Sequence, residues 1–304
     1  MTFVPRDVAA VYGVIVVAIG LSIGVSETRA QIAVDLQLPK RDFIAYEPVN
    51  ATVTVYNRSG RDVVLGGPSG TSWLQFQVMD YAGNLMTPIA GGAKMDPVML
   101  PALGNVPVTV DLSEVYPIFD YGIYRFQASV FYPPTQQFYD SERKSLNMAD
   151  GKVIWGPVQS RRPAGYQGRG MERQFTLLKY RATEATEIYV RVTDSKTGAV
   201  YATYSLGEVL LHVDPQATTD RDGNLHVLFY GTPQYAVHNI IGFTGKSLKR
   251  DIYKATTTSR PEMLLSETGQ VGIRGGILDD PKARAAREPT GVRSLSERPP
   301  LPGQ

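Results

Sequence analysis

Three histidines, His212, His226 and His238, are the residues of this chain best suited to metal or acid–base chemistry. Each falls in a segment whose alternating apolar residues predict a strand. If the residues between them close a hairpin, His212 and His226 become cross-strand neighbours, and Asp214 shares a face with His212. The spacing matches no known metal-ligand pattern. We therefore expect hydrogen-bonded or surface histidines, keep His212, Asp214 and His226 as the candidate ligands, and predict no metal and no cofactor.

Other catalytic motifs are absent or out of context. The chain has no cysteine, which excludes thiolate nucleophiles, thiolate zinc sites and disulfides. The G-x-S-x-G pattern at 20–24 lies in an apolar segment without triad partners. The sequence at 220–224 departs from calcium-loop order and indicates an Asp-Gly turn. A hydrolase built from paired carboxylates or the histidines stays open, since carboxylate spacing depends on the fold, but without a motif we predict a non-enzyme.

Aromatic residues supply the candidate binding site. Tyr132, Phe138 and Tyr139 lie in and beside a predicted loop at one end of the first domain, where sandwich folds place recognition. Packing of Phe138 and Tyr139 beneath the loop is the alternative, because aromatic rings usually bury. The same segment, 132–149, is the one long loop we predict that could enter a protease cleft, which makes a proteinase inhibitor an alternative function.

The composition favours strands and argues against nucleic acid. The chain has 304 residues, enough for two ordinary cores. Its 17 Tyr, 10 Phe, 29 Gly and 21 Pro predict an all-β protein with many turns. The 31 Lys and Arg against 29 Asp and Glu leave a net charge of +2, too small for a nucleic-acid footprint.

The first thirty residues resemble an export signal. An apolar run from Val8 to Val25 follows Arg6, and Thr28 and Ala30 are small residues at the −3 and −1 positions of a cleavage site. We predict a signal peptide over 1–30 and a periplasmic, cell-surface or secreted protein, compatible with a bacterial source. The alternative is an uncleaved anchor, since the run approaches the length of a membrane span. A membrane partner is expected only in that case.

From residue 31 onward, period-two alternation broken by turn residues predicts two tandem β-sandwiches. The predicted units are a sandwich at 31–158, a Gly/Arg-rich linker at 159–173, a second sandwich at 174–278 and a disordered tail at 279–304. The first sandwich takes predicted strands at 33–38, 49–57, 73–80, 106–112, 121–132 and 152–158. In the second they lie at 175–180, 187–194, 200–206, 209–214, 225–230, 236–243, 248–254, 262–266 and 270–274.

The first predicted sandwich resembles immunoglobulin domains at residues 120–128, which read Asp-Tyr-Gly-Ile-Tyr-Arg-Phe-Gln-Ala. The family pattern is D-x-G-x-Y-x-C-x-A, with phenylalanine here in place of cysteine. The resemblance implies a tyrosine corner and a strand-C tryptophan facing strand B. The implied structural residues are Trp73, Asp120, Gly122, Tyr124 and Phe126. Tyr46-Glu47-Pro48 resembles the Tyr-x-Pro start of bacterial immunoglobulin-like and macroglobulin-type modules.

Taken together, these patterns predict an exported, non-catalytic protein of tandem immunoglobulin-like sandwiches. Its expected partner is a protein, an envelope component or a polysaccharide. The fold class by itself does not specify which.

Overall fold

The structure is a computed structural model that describes residues 31–66, 72–89, 92, 95–160, 172–182 and 185–279. The described chain is almost entirely β, with a single four-residue helix, α1 (Leu112–Val115). Its sheets form two groups, each packed around its own hydrophobic core.

The first group contains two main sheets, in the order β1-β3-β7 and β2-β10-β8-β5, with β9 paired to β8 and a small β4-β6 sheet beside them. Its strands are β1 (Ile32–Gln37), β2 (Asp42–Ile44), β3 (Asn50–Asn57), β4 (Val63–Leu65), β5 (Leu74–Met79), β6 (Val98–Leu100), β7 (Asn105–Asp111), β8 (Gly122–Tyr132), β9 (Gln137–Asp140) and β10 (Lys144–Ala149).

Alternation along the strands builds the first core. Val53 and Val55 of β3 are fully buried on the same face of their strand. Trp73 is buried in the same cluster, and its Nε1 donates to the carbonyl of Asp96 at 2.8 Å. Period-two burial on two facing sheets is the arrangement that the alternating sequence predicts.

A tyrosine locks the entry into β8. Tyr124 Oη donates to the carbonyl of Asp120, four residues upstream, at 2.9 Å. Gly122 between them has a φ of +139°, and a Cβ there would approach Tyr81 Cβ to 2.6 Å. Phe126 lies buried two residues further on. The corner therefore needs glycine both for its backbone conformation and for space.

The second group contains two sheets, in the order β11-β12-β13-β14 and β15-β16-β17-β18-β21, and a separate β19-β20 hairpin. Its strands are β11 (Lys152–Gln159), β12 (Arg173–Arg181), β13 (Thr186–Asp194), β14 (Val200–Glu208), β15 (Gln216–Thr219), β16 (Leu225–Thr232), β17 (Tyr235–Ile241), β18 (Ser247–Lys254), β19 (Glu262–Leu265), β20 (Val271–Arg274) and β21 (Ile277–Leu278).

Both faces of β16 are buried. Leu225, Val227 and Phe229 enter the core between the two sheets. Leu228 and Tyr230 point the other way, into a smaller cluster that includes residues of β19 and β20. A strand covered on both faces is a nearly continuous apolar run, which is how residues 225–230 appear in the sequence.

Three sequence predictions need correction. The strand predicted at 152–158 forms as β11, but it pairs with β12 and so belongs to the second group rather than to the unit predicted at 31–158. The strand predicted at 209–214 does not form, and residues 211–213 make a turn. The loop predicted at 132–149 is mostly β9 and β10, because its residues continue the pairing of β8. Within 132–149, only the short connections 133–136 and 141–143 lie outside strands and could enter a protease cleft.

Some predictions fall outside the described residues. They are the signal peptide at 1–30, most of the linker, at 161–171, and the tail from 280 onward. Among the described residues, no helix is long and apolar enough to span a bilayer.

Candidate functional site

The two sheet groups meet at a small seam. Ile44 of β2 packs against Leu178 and Tyr189, and all three side chains are buried. Arg191 Nη2 donates to the carbonyl of Ala45 at 2.7 Å. We call these five residues the seam.

Alternation along β13 explains how one strand serves both a core and the seam. Ile188, Val190 and Val192 point into the second core and are fully buried. Tyr189 and Arg191 therefore point to the opposite face, where they reach the first group.

Exposed aromatic rings lie beside the seam. The rings of Tyr46 and Phe119 are nearly parallel, with an interplanar angle of 6° and 5.8 Å between their centres. The guanidinium carbon of Arg191 lies 5.4 Å from the Tyr46 ring centre. Tyr46 is 46% exposed, Phe119 42% and Tyr121 57%. We call Tyr46, Phe119 and Tyr121, with Arg191 and Asp150, the aromatic platform.

Among the polar groups of the platform, Asp150 influences the pKa values of both Tyr121 and Arg191. Partial burial, and next the charge of the Asp150 carboxylate and its hydrogen bond with the hydroxyl, raise the pKa of Tyr121, so the hydroxyl stays protonated and directs its proton at Asp150. Burial lowers the pKa of Arg191, while Asp150 opposes that change. The platform thus offers flat apolar rings beside a cation, a carboxylate and a phenol.

Three connections assemble the platform. Tyr46 lies between β2 and β3, Phe119 and Tyr121 precede β8, and Asp150 joins β10 to β11. The tyrosine corner at the start of β8 holds the second of these connections in place. Loops held by rigid strands are where β-sandwich proteins place recognition.

Tyr46 adopts an unusual backbone conformation for a tyrosine. Its φ is +69°, in the left-handed region that costs a residue with a Cβ about 1–2 kcal/mol. The protein bears this conformational cost although the Tyr46 ring is nearly half exposed and so contributes little to the core. Strain of this kind is enriched at functional sites.

We expect Tyr46→Gly to be more stable than Tyr46→Ala by about 1 kcal/mol. Both variants lose the ring, so the difference isolates the strain, and urea unfolding of both proteins measures it. Tyr56, exposed on β3, is the control position, where glycine should instead be less stable than alanine. Equal stability of the two Tyr46 variants would contradict the strain argument.

The three residues of the predicted aromatic site differ in how far they are exposed. Tyr132 is fully buried and packs edge-on against Tyr139 at 5.9 Å, so it is a core residue. Phe138 is 46% exposed and lies 5.2 Å from the buried ring of Phe131. Of the three predicted residues, only Phe138 is exposed.

The structure separates the predicted metal ligands. His212 and Asp214 are exposed in and after the 211–213 turn. His226 is buried, and its strand partners are Thr218 and Ile240. The expected pairing of His212 with His226 is therefore wrong, because the strand that pairs with β16 on this side begins only at 216. Within the described residues no group of three or more potential ligands could hold a metal ion.

His226 instead joins a hydrogen-bonded chain. Its Nδ1 lies 3.1 Å from His238 Nε2, and its Nε2 lies 3.1 Å from Asp220 Oδ2. Asp220 also accepts hydrogen bonds from the backbone N–H groups of Asp222 and Asn224, which closes the Asp-Gly turn. Both ring nitrogens of His226 are thus engaged within the protein.

Comparison with known proteins does not assign this chain to a family. No family model matches the chain, and no curated protein matches it. A search of solved structures finds the crystal structure of Spo0M, a sporulation control protein from Bacillus subtilis. It is 12% identical, with a TM-score of 0.25, over 58% of this chain and 91% of that one. A TM-score this low supports no argument about fold or function.

The platform was missed by the sequence analysis. Tyr46 was noted only for its resemblance to a strand-B start, and Tyr121 only as a member of the corner motif. Phe119 and Arg191 lie 72 residues apart, and nothing local indicates that they meet. The signal that was available is the pair of aromatic residues flanking Asp120, at the point where a predicted connection meets the strand predicted at 121–132.

Proposed function

We propose that this is an exported, non-catalytic binding protein whose tandem immunoglobulin-like sandwiches hold a polysaccharide at the aromatic platform. The apolar segment and the Thr28-x-Ala30 site support export. The Tyr124–Asp120 hydrogen bond and the buried Trp73 support the immunoglobulin-like assignment.

The observation that carries the proposal is the exposed Tyr46 ring, which stacks parallel to Phe119 although the backbone of Tyr46 is strained. Sugar rings present C–H faces that pack on aromatic rings, and their hydroxyls need donors and acceptors at the rim. Arg191, Asp150 and the Tyr121 hydroxyl supply them. The exposed rings lie at a junction between two sheet groups, where ligand sites are common.

The test is binding of purified residues 31–304 to a glycan array, followed by calorimetry on the best neutral glycan. We expect Tyr46→Gly combined with Phe119→Ala to weaken binding about thirtyfold, since truncating a central aromatic contact typically costs about 2 kcal/mol. The glycine at position 46 keeps the backbone conformation, which protects the fold.

Phe138→Ala is the matched control, because Phe138 is exposed to the same extent as Tyr46. It should leave affinity unchanged. Loss of binding in Phe138→Ala alone would move the site to the β8–β9 hairpin and contradict the platform. Absence of binding to every glycan would contradict the proposed function as a whole.

A further inference from the structure

The outer face of the β2-β10-β8-β5 sheet is rich in arginine and amide side chains. Tyr124 and Phe126 of β8 are buried, so their neighbours Arg125 and Gln127 point outward. In register, Arg125 lies opposite Ser145 of β10 and Met79 of β5. Gln77 lies opposite Gln127 by the same pairing.

Arg143 links this face to an adjoining groove. Its Nε donates to Gln127 Oε1 at 3.1 Å, and its side chain lines both the outer face and a groove of about 660 Å³. Arg41, Lys40 and Lys144 also line the groove. We call Arg41, Arg125 and Arg143 with the flanking amides the basic face.

The three arginines of the basic face form no ion pair with any of the described residues. Lys40 is paired with Glu47 at 2.6 Å and Lys144 with Glu142 at 3.3 Å. By contrast, no carboxylate of the described residues lies within 4 Å of the guanidinium groups of Arg41, Arg125 or Arg143. An exposed set of unpaired guanidinium groups is a ready site for planar anions.

We infer that the basic face is a second binding site, for the carboxylate groups of a uronic-acid polysaccharide. Guanidinium groups bind carboxylates in a bidentate manner, and the amides of Gln77 and Gln127 suit sugar hydroxyls between the charges. The residues that line the basic face include no exposed aromatic ring on which bases could stack, which disfavours a single-stranded nucleic acid as the ligand. This site shares no residue with the aromatic platform and does not depend on it.

The experiment uses polygalacturonate and its fully methyl-esterified form, which have the same backbone with and without charge. We expect residues 31–304 to bind the acid form and not the ester. Arg125→Gln with Arg143→Gln should weaken binding about tenfold, as expected for two exposed ion pairs. Arg58→Gln with Arg61→Gln removes the same charge from an exposed turn elsewhere and should have little effect.

Several results would overturn the inference. They are no binding to polygalacturonate, equal binding to the ester, equal loss in the Arg58/Arg61 variant, or equally tight binding to single-stranded oligo(dT). Both substituted arginines are exposed, so unchanged melting temperatures verify that the variants fold. The Tyr46→Gly/Phe119→Ala protein should bind polygalacturonate normally, which separates failure of this site from failure of the platform.

Discussion

Lowering the pH from 7 to 4 is expected to remove about 3 kcal/mol of unfolding free energy through His238. Burial, and next the neighbouring His226, lower the pKa of His238 from 6.5 to about 4. Between those two values the unfolded chain takes up a proton that the folded protein does not, so stability falls as the pH falls. A difference of this size corresponds to about 3 kcal/mol.

The surroundings of His238 explain why its protonated form is unfavourable in the folded protein. The Asp220 carboxylate accepts from His226 Nε2, which leaves Nδ1 of His226 as the acceptor for the Nε2–H of His238. Protonating His238 would put a charge in a site where its ring is only 5% exposed. Asp251, its partner on β18, favours that charge, whereas Lys249 opposes it.

Urea unfolding of the wild type and of His238→Gln at four pH values between 7 and 4 measures the effect. The variant lacks the titrating ring, so its disadvantage at pH 7 should shrink steadily towards pH 4. His212→Gln, which removes an exposed histidine, should run parallel to the wild type. Parallel curves for wild type and His238→Gln would show that His238 does not govern acid sensitivity.

Lys40→Met is expected to destabilise the protein by about 3 kcal/mol at pH 8, because it leaves the Glu47 carboxylate buried without its cation. Lys40 Nζ lies 2.6 Å from Glu47 Oε1 and 3.0 Å from Tyr189 Oη. Glu47 Oε2 also accepts from the backbone N–H of Ile44. The ion pair thus sits against the seam, next to Tyr46.

The stability lost in Lys40→Met depends on pH in the opposite direction to the His238 effect. Burial already raises the pKa of Glu47 above 4.5, and Lys40 opposes that shift. Without Lys40 the pKa rises further, so acidification protonates the folded protein first and restores stability. The cost of Lys40→Met should therefore diminish from pH 8 to pH 5.

The double variant Lys40→Met/Glu47→Gln is the control, since it removes both charges. It should be more stable than Lys40→Met at pH 8, as found when buried ion pairs are replaced together rather than broken. If the single and double variants unfold at the same urea concentration at every pH, the buried carboxylate is not the cause.

Most strands were predictable because period-two burial is a local signal. Phe175–Tyr180 and Glu187–Asp194 were predicted within two residues of the ends of β12 and β13. The strands β2, β4, β6, β9, β10, β15 and β21 were not predicted; all of them except β10 have only two to four residues, which show little or no alternation. The 209–214 segment has the apolar content of a strand but joins none of the sheets formed by the described residues.

The almost wholly β character of the chain, its glycine-dependent turns and its tyrosine corner can all be predicted from local sequence. Each of these features depends on residues within a few positions of one another. Long-range pairing, by contrast, places β11 in the second group of sheets, brings His226 to His238 rather than to His212, and brings Arg191 to Tyr46. These contacts depend on strand order and register, which non-local burial selects after the strands exist. The exposed platform and the basic face therefore appear only once the sheets are paired.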